Sequence, residues 1–500
     1  MNHHLASSFL TALCASVVML FGAVAEMHAQ ISPAEYATRR AALAEAAPPG
    51  IILALGSGEP SNNYSVFWQN PHFDWLTGLR ESGAALVIDT RTKPAREVLF
   101  VEGKDPAQEV WTGKRLGPDG ASAQVGVPAR PIGQLDALLD SLLAGGTPLH
   151  VIREQSEGGD FTWADERRLD AIRQRHPSLD VVLINPLVLR LRGTKSAAEL
   201  ALIRQAIDIT VQAHREAAKA LAPGMNEFEL QALIEYTFRR NGADRPSFAT
   251  IVGSGPNSTT LHYNADDRFV NAGEVVVMDI GASYRGYAAD VTRTYPVNGR
   301  FTDDQRSIYQ LVRDAQEAAA RQAKPGNRAR VMSDSANAVL EAGLARLGLI
   351  DSVGATYECG ADGRRKCRQL GLYYMHGLGH GIGLEVHDPD QYYFTGILAE
   401  GSAFTIEPGI YVRANLLEIL PDTPANRAWA ERRGAAVRRY ANIGVRIEDD
   451  YIITATGAEW VSRAPREVAE VEALMAEPWT GPAARDVKRV EAYRPFAPRP

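Results

Sequence analysis

Three apolar runs in the second half of this chain each deliver an acid where a buried strand would place it. Nothing else in the sequence limits the fold as much. Val275–Met278 reads as a buried strand ending on Asp279. FTIEPGIYV sets Glu407 after a β-branched run and ahead of Pro408-Gly409. IGVRIEDDYIIT places Glu448 in a strand pattern, with Arg446 on the same face two residues earlier. A fourth acid, Asp290, lies in the extended run YAADVTRTYPV, and Gly281 and Gly286 bracket a turn before it. A hairpin through that turn brings Asp279 and Asp290 together. Asp is disfavoured among strand formers, and a buried Glu needs a cation or a metal beside it. Solvated turn aspartates and an edge-strand glutamate are the plainer alternatives.

Between these runs lies YMHGLGHGIGLEVHD, residues 374–388. His376, His380 and His387 fall here, in a chain with 11 histidines in all. The interleaved Gly377, Gly379, Gly381 and Gly383 permit close backbone approach and unusual dihedrals. Four carboxylates and an imidazole make a hard, oxygen-dominated donor set, with charge enough for two divalent ions. That hardness favours Mn²⁺, Fe²⁺ or Co²⁺ over a structural tetrahedral Zn²⁺. Two such ions generate a bridging hydroxide and polarise a carbonyl, so hydrolysis is the expected chemistry.

In order and context these motifs resemble those of the pita-bread metallopeptidases, which include methionine aminopeptidase, prolidase and aminopeptidase P. The resemblance implies an α/β (α+β) chain: a pita-bread, creatinase/aminopeptidase-like catalytic domain behind a smaller creatinase-like α/β domain. It implies Asp279, Asp290, His380, Glu407 and Glu448 as metal ligands, with Asp290 and Glu448 bridging two Mn²⁺ or other divalent ions. Glu407 would also relay the proton. His262, in TTLHYNADD, looks like the histidine near the scissile peptide, and His387 like the one that stabilises the oxyanion. His376 would line the pocket for proline. Tyr411 and Arg446 resemble groups that order the metal-bound solvent and the bridging carboxylate.

The amino half narrows the choice. QNPHFDWLTGLRESGAALVI and VEGKDPAQEVWTGKRLGPDGA resemble the amino domain of bacterial aminopeptidase P, and prolidase less closely. Trp111 falls on a tryptophan that in that family reaches a neighbouring subunit's cleft; a core aromatic is the alternative. The implied activity is removal of the first residue from peptides with proline second. Xaa-Pro dipeptidase activity is the rival, because the stretch 414–440 is longer than in simple bacterial aminopeptidase P and closer in length to that of prolidases. Arg427, Arg432, Arg433, Arg438 and Arg439 are available there to hold a dipeptide's carboxylate. The family also implies a homodimer or homotetramer.

Length and composition agree with two domains. Five hundred residues exceed one ordinary core. The formal charge of −7 argues against a general nucleic-acid or anionic-membrane binder, while leaving room for a local basic patch. Apolar runs at Ile51–Leu55, Ala84–Ile88, Val98–Val101 and Val181–Ile184 read as strands of an α/β unit over 31–185, after a helical segment that ends at Pro48. Helical spacing over Lys195–Leu221 and Glu227–Arg240 opens the second domain, 190–468, with the boundary near 186–194. The Pro/Arg/Ala-rich tail, 477–500, reads as loosely ordered. Phe9–Ala25 is uncharged and ends in an A-x-A pattern. This reads as a signal peptide, 1–25, exporting the chain to the periplasm or beyond without stable membrane insertion; an uncleaved anchor is the alternative. Export makes a disulfide between Cys359 and Cys367 the expectation, against two free thiols.

Overall fold

Alternation along the first strands decides how the two halves of the chain meet. In the computed structural model, which describes residues 30–60, 66–153, 163–482 and 488, the amino half forms one mixed six-stranded sheet. Its strands are β1 (Ile51–Leu55), β2 (Ala85–Asp89), β3 (Arg96–Val101), β4 (Ala129–Pro131), β5 (Leu149–Ile152) and β6 (Val181–Leu183), in the order β4-β3-β2-β1-β5-β6. Every residue of β1, β2 and β5 is buried, Asp89 and His150 among them, as largely apolar runs require of strands covered on both faces. Ile51, Leu53, Val87 and Val151 face a core completed by Leu135, Leu139, Leu169 and Ile172 from two helices. Their neighbours Ile52, Ala54, Leu86 and Ile88 face the other way, into a core continuous with the second half. The short strand β4 lacks an apolar run, so it is not legible as a strand in sequence.

The expected junction is a helix, Asn185–Arg192, rather than a linker. Buried Arg192 donates to the Asp388 carboxylate, to Glu385 at 2.8 Å and to His72 Nδ1 at 2.8 Å. Burial and the Arg192 cation hold His72 far below its ordinary range, to about 3, so its ring is the neutral acceptor this contact needs. Lys195 Nζ reaches Asp388 Oδ2 at 2.8 Å. Both domains and the loop carrying His387 thus converge on one buried carboxylate. Asp388→Asn leaves buried Lys195 without a carboxylate and Arg192 with only the partly exposed Glu385, and we expect it to cost about 3–5 kcal/mol. Urea denaturation measures this; an unchanged midpoint would show that the pair network is dispensable.

A capping box opens the helix Ala197–Ala220: Ser196 Oγ accepts from Glu199 N at 3.2 Å, and Glu199 answers to Ser196 N at 2.9 Å. This helix, with Glu227–Arg240, Asp303–Ala320 and Arg330–Arg346, packs around short antiparallel sheets. Their strands are β7 (Arg245–Pro246), β8 (Ile251–Ser254), β9 (Val275–Ile280), β10 (Ala282–Tyr284), β11 (Tyr287–Ala288), β12 (Val291–Pro296), β13 (Thr356–Glu358), β14 (Lys366–Arg368), β15 (Ala403–Ile406), β16 (Gly409–Val412), β17 (Ile443–Arg446), β18 (Asp449–Thr454) and β19 (Gly457–Trp460). They pair as β11-β10-β7, β12-β9-β8, β13-β14, β15-β18-β19 and β16-β17.

Cys359 and Cys367 are joined as a disulfide that closes the β13–β14 hairpin. The start of the tail is pinned, because Trp479 Nε1 donates to Glu216 Oε2 at 3.1 Å, so looseness does not begin at 477. The rest of the tail and the expected signal segment, 1–25, lie outside the described residues. Among the described residues no helix is long and apolar enough to cross a membrane.

Candidate metal centre

The register of the sheets brings the five expected ligands together. Asp279 opposes Thr292 across β9 and β12. Across β15 and β18, Ile406 opposes Asp449, so the next pair sets Glu407 against Glu448. The histidine-glycine segment lies antiparallel along β15 without being a regular strand. Ile382 N bonds Ala403 O at 2.9 Å, Thr405 N bonds His380 O at 2.8 Å, and Glu407 N bonds Leu378 O at 2.8 Å. His380 therefore shares a face with Thr405 and Glu407. The glycines serve close approach rather than unusual dihedrals, since none of the four has a positive φ. A Cβ on Gly379 would sit 2.0 Å from Thr405 O, and one on Gly381 would sit 2.4 Å from Asp388 O.

Two expectations need correction. Asp290 is not inside a strand but in the break between β11 and β12, and Glu448 occupies the break between β17 and β18. Both breaks occur where a strand changes partners, which frees the side chain to turn inward. Their backbones remain satisfied: Asp290 N donates to Asp450 Oδ2 at 3.2 Å, and Glu448 N to Thr292 O at 3.1 Å.

One ligand atom each from Asp290, His380 and Glu448 lies within 4.8 Å of the others. His380 Nδ1 faces Gly381 O at 3.2 Å, and a carbonyl only accepts, so Nδ1 carries the proton. The Nε2 lone pair then points at Asp290 Oδ2, 3.4 Å away, and at Glu407 Oε1, 3.5 Å away. Burial and the neighbouring His387 keep His380 low, at about 4, so the ring stays neutral. Asp279 Oδ1 and Asp290 Oδ1 are buried without a hydrogen-bond partner. Acceptors facing acceptors in a buried space fit a bound cation, and without one they must hold protons. Burial and mutual repulsion push Asp290 and Glu448 well above the carboxylate range and raise Glu407 to about 8.

These groups wall a cavity of about 510 Å³ that also takes in His262, His376, His387 and Arg446. His262 sits in an exposed turn. The His387 ring lies 4.3 Å from that of His380. Tyr411 does not line the cavity. It lies fully buried behind His376, in a relay from Asp279. Arg446 Nη2 holds Asp279 Oδ2 at 2.5 Å and Nη1 donates to Tyr411 Oη at 2.8 Å. Tyr411 in turn donates to His376 Nε2 at 2.8 Å, and His376 Nδ1 donates to Gly377 O at 2.8 Å. Arg446 thus grips Asp279 and reaches the expected bridging carboxylate Glu448 only through Thr292. Thr292 and Thr405 were not anticipated, although each stands two residues from a ligand, Asp290 or Glu407, on an extended segment.

Trp111 is 83% exposed on the helix Pro106–Thr112, so it is no core aromatic, and it does not line this cavity. None of the five arginines of 414–440 lines it either. Arg427 pairs with Asp422, Arg432 and Arg433 with Asp351, and Arg439 with Asp304.

Residues 201–455 match metallopeptidase family M24, and residues 36–151 match the aminopeptidase P N-terminal domain. The chain is 34% identical to Xaa-Pro aminopeptidase of Escherichia coli, with 89% of this chain and 98% of that protein covered. It is 30% identical to human Xaa-Pro dipeptidase, covering 87% and 91%. Among solved structures, Pseudomonas aeruginosa aminopeptidase PepP superposes with a TM-score of 0.75 at 33% identity, covering 90% of this chain and 99% of that one. Aminopeptidase P from E. coli with the inhibitor Pro-Leu superposes with 0.74 at 32%, covering 89% and 98%. The chain belongs to metallopeptidase family M24, with an aminopeptidase P N-terminal domain ahead of a catalytic domain of pita-bread fold.

Proposed function

We propose that this protein is an Xaa-Pro aminopeptidase, releasing the first residue from peptides whose second residue is proline. The observation that carries this reading is the cavity: acceptor-only ligands on one wall, and His262, His376 and His387 around the space a peptide would fill. Likeness to Xaa-Pro aminopeptidases through both domains supports it.

Asp279, Asp290, His380, Glu407 and Glu448 would hold two divalent ions, manganese by preference of an oxygen-rich set. When bound, such ions supply an activated water and a polarised carbonyl. The remaining steps belong to the chain. A peptide nitrogen leaves as an amine only when protonated, so the proline nitrogen needs a delivered proton. Glu407, on the cavity wall among the ligands, passes it. His387 faces the developing oxyanion, His262 the scissile peptide, and His376 flanks the proline ring. Tyr411 and Arg446 fix His376 and Asp279 from behind.

Phe9–Ala25 with its A-x-A pattern supports export to the periplasm or outside the cell, and the Cys359–Cys367 disulfide suits an oxidising compartment. Exposed Trp111 suits a dimer or tetramer in which it meets a neighbouring subunit's cleft.

The likeness to human Xaa-Pro dipeptidase keeps one alternative in view. Hydrolysis of Ala-Pro-Ala and of Ala-Pro by manganese-loaded protein separates them. The tripeptide should release alanine and Pro-Ala, and the dipeptide should react roughly tenfold or more slowly, having less chain to bind. Turnover of the dipeptide alone would establish the dipeptidase reading instead.

A further inference from the structure

A second concavity, of about 320 Å³, adjoins the catalytic cavity, and His376 and Gly377 line both. Tyr374 completes the shared wall, its ring edge-on to His376 at 4.8 Å. One side of this groove is the helix Arg330–Arg346, presenting Ser333 and Asn337 from a single face. The other side is the hairpin β13–β14, presenting Cys367 and Arg368. The reaction proposed above uses His376 on the shared wall and nothing beyond it.

The hairpin is also where the chain's charge reverses. Between Cys359 and Arg368 lie Arg364, Arg365, Lys366 and Arg368 against one acid, Asp362, in a protein whose formal charge is −7. All four cations are exposed. Lys366 and Arg368 stand two apart on β14 and so share a face. Arg368 Nη2 rests on the buried Glu341 carboxylate at 2.5 Å, yet its side chain stays 58% exposed. A guanidinium has five donors, so most of its capacity remains for a second carboxylate. The disulfide ties the strand carrying both cations to the opposite strand of the hairpin.

We propose that this groove is an extended subsite for the part of the substrate beyond proline, and that Arg368 with Lys366 selects a carboxylate there. The proposal rests on the aminopeptidase reading. With the substrate's amine end at the ligand cluster and its proline beside His376, the following residues leave past His376, where the groove begins. Ser333 and Asn337 offer a hydroxyl and an amide to the peptide backbone, and Leu370 and Tyr374 an apolar floor. The carboxylate is either an acidic side chain or the peptide's own C-terminus.

Two substrate series distinguish those sources: Ala-Pro-Ala-Asp-amide against Ala-Pro-Ala-Lys-amide, and Ala-Pro-Ala-Ala with a free against an amidated end. In at least one series the wild-type protein should favour the carboxylate in kcat/KM by up to about fivefold, the size of an exposed ion pair. That ratio should fade towards one in 1 M NaCl as screening shortens. R368E should bring it to one or below, and R368K should keep most of it. K366E, which leaves the Glu341 contact untouched, should lower the ratio in a protein whose fold does not depend on that pair. Ratios near one in both series, or a preference that survives R368E and K366E, would overturn the subsite. Failure to cleave plain Ala-Pro-Ala would instead strike the aminopeptidase reading, and the subsite would fall with it.

Discussion

Asp290→Asn is expected to lower kcat/KM on Ala-Pro-Ala by at least about a thousandfold and to leave purified protein deficient in bound metal. The carboxylate faces His380 Nε2 at 3.4 Å and sits among Glu448, Asp279 and Glu407, so it is central to the acceptor cluster. Metal assistance contributes several kcal/mol to a hydrolytic transition state, and about 1.4 kcal/mol is a factor of ten, so losing it costs several decades. An amide of nearly the same shape keeps the fold, which isolates the charge. In metal-free protein the same change should be stabilising, because Asp290 must take up a proton to stay buried among acids and an amide need not. Full metal content together with full activity in Asp290→Asn would dismiss the proposed ligand set.

Chelated protein should lose stability as pH rises, which is the opposite of most buried, paired carboxylates. The sign follows from proton counts. In the folded, metal-free state Asp290 and Glu448 hold protons well above the ordinary range and Glu407 up to about 8, against 4.5 for an ordinary Glu. Between those limits the folded state binds more protons than the unfolded one, so stability falls with rising pH. The contribution is fully present below the ordinary carboxylate range and is lost as pH passes through the folded-state value. Its size is on the order of a few kcal/mol. Urea midpoints of chelated protein at pH 5, 6, 7 and 8 should therefore descend, and Glu407→Gln should flatten part of the slope. Metal-loaded protein should be nearly level over pH 6–8, with metal affinity weakening towards pH 5 as protons compete for the ligands. A midpoint that rises from pH 5 to pH 8 after chelation would contradict the burial and repulsion described for these acids.

Much of the site was legible because its ligands lie in motifs where local composition is informative. Val275–Met278 had to be a buried strand, and Asp279 follows from it. His380 stood out because a core does not choose histidines alternating with glycine. Asp290 and Glu448 were read as strand residues because their neighbours are strand formers. Strand exchange at those points depends on distant partners, which periodicity does not report. The same limit hid Thr292, Thr405 and the Asp279–Arg446–Tyr411–His376 relay, whose members come from separate segments. The arginines of 414–440 seemed open to a substrate carboxylate; acids as remote in sequence as Asp351 and Asp304 engage three of them.

By itself, the sequence determined the order of elements, the identity of the acids and imidazole that converge, and the family whose motifs they form. These rest on local patterns: apolar runs, caps and short spacings. Tertiary structure alone decided which faces those residues share, because register and strand exchange are set by packing between segments far apart in the chain. It set Tyr411 behind His376 as the support of the cavity wall and put Trp111 on the surface. It also set the basic, disulfide-closed hairpin beside His376, joining two features that sequence left separate.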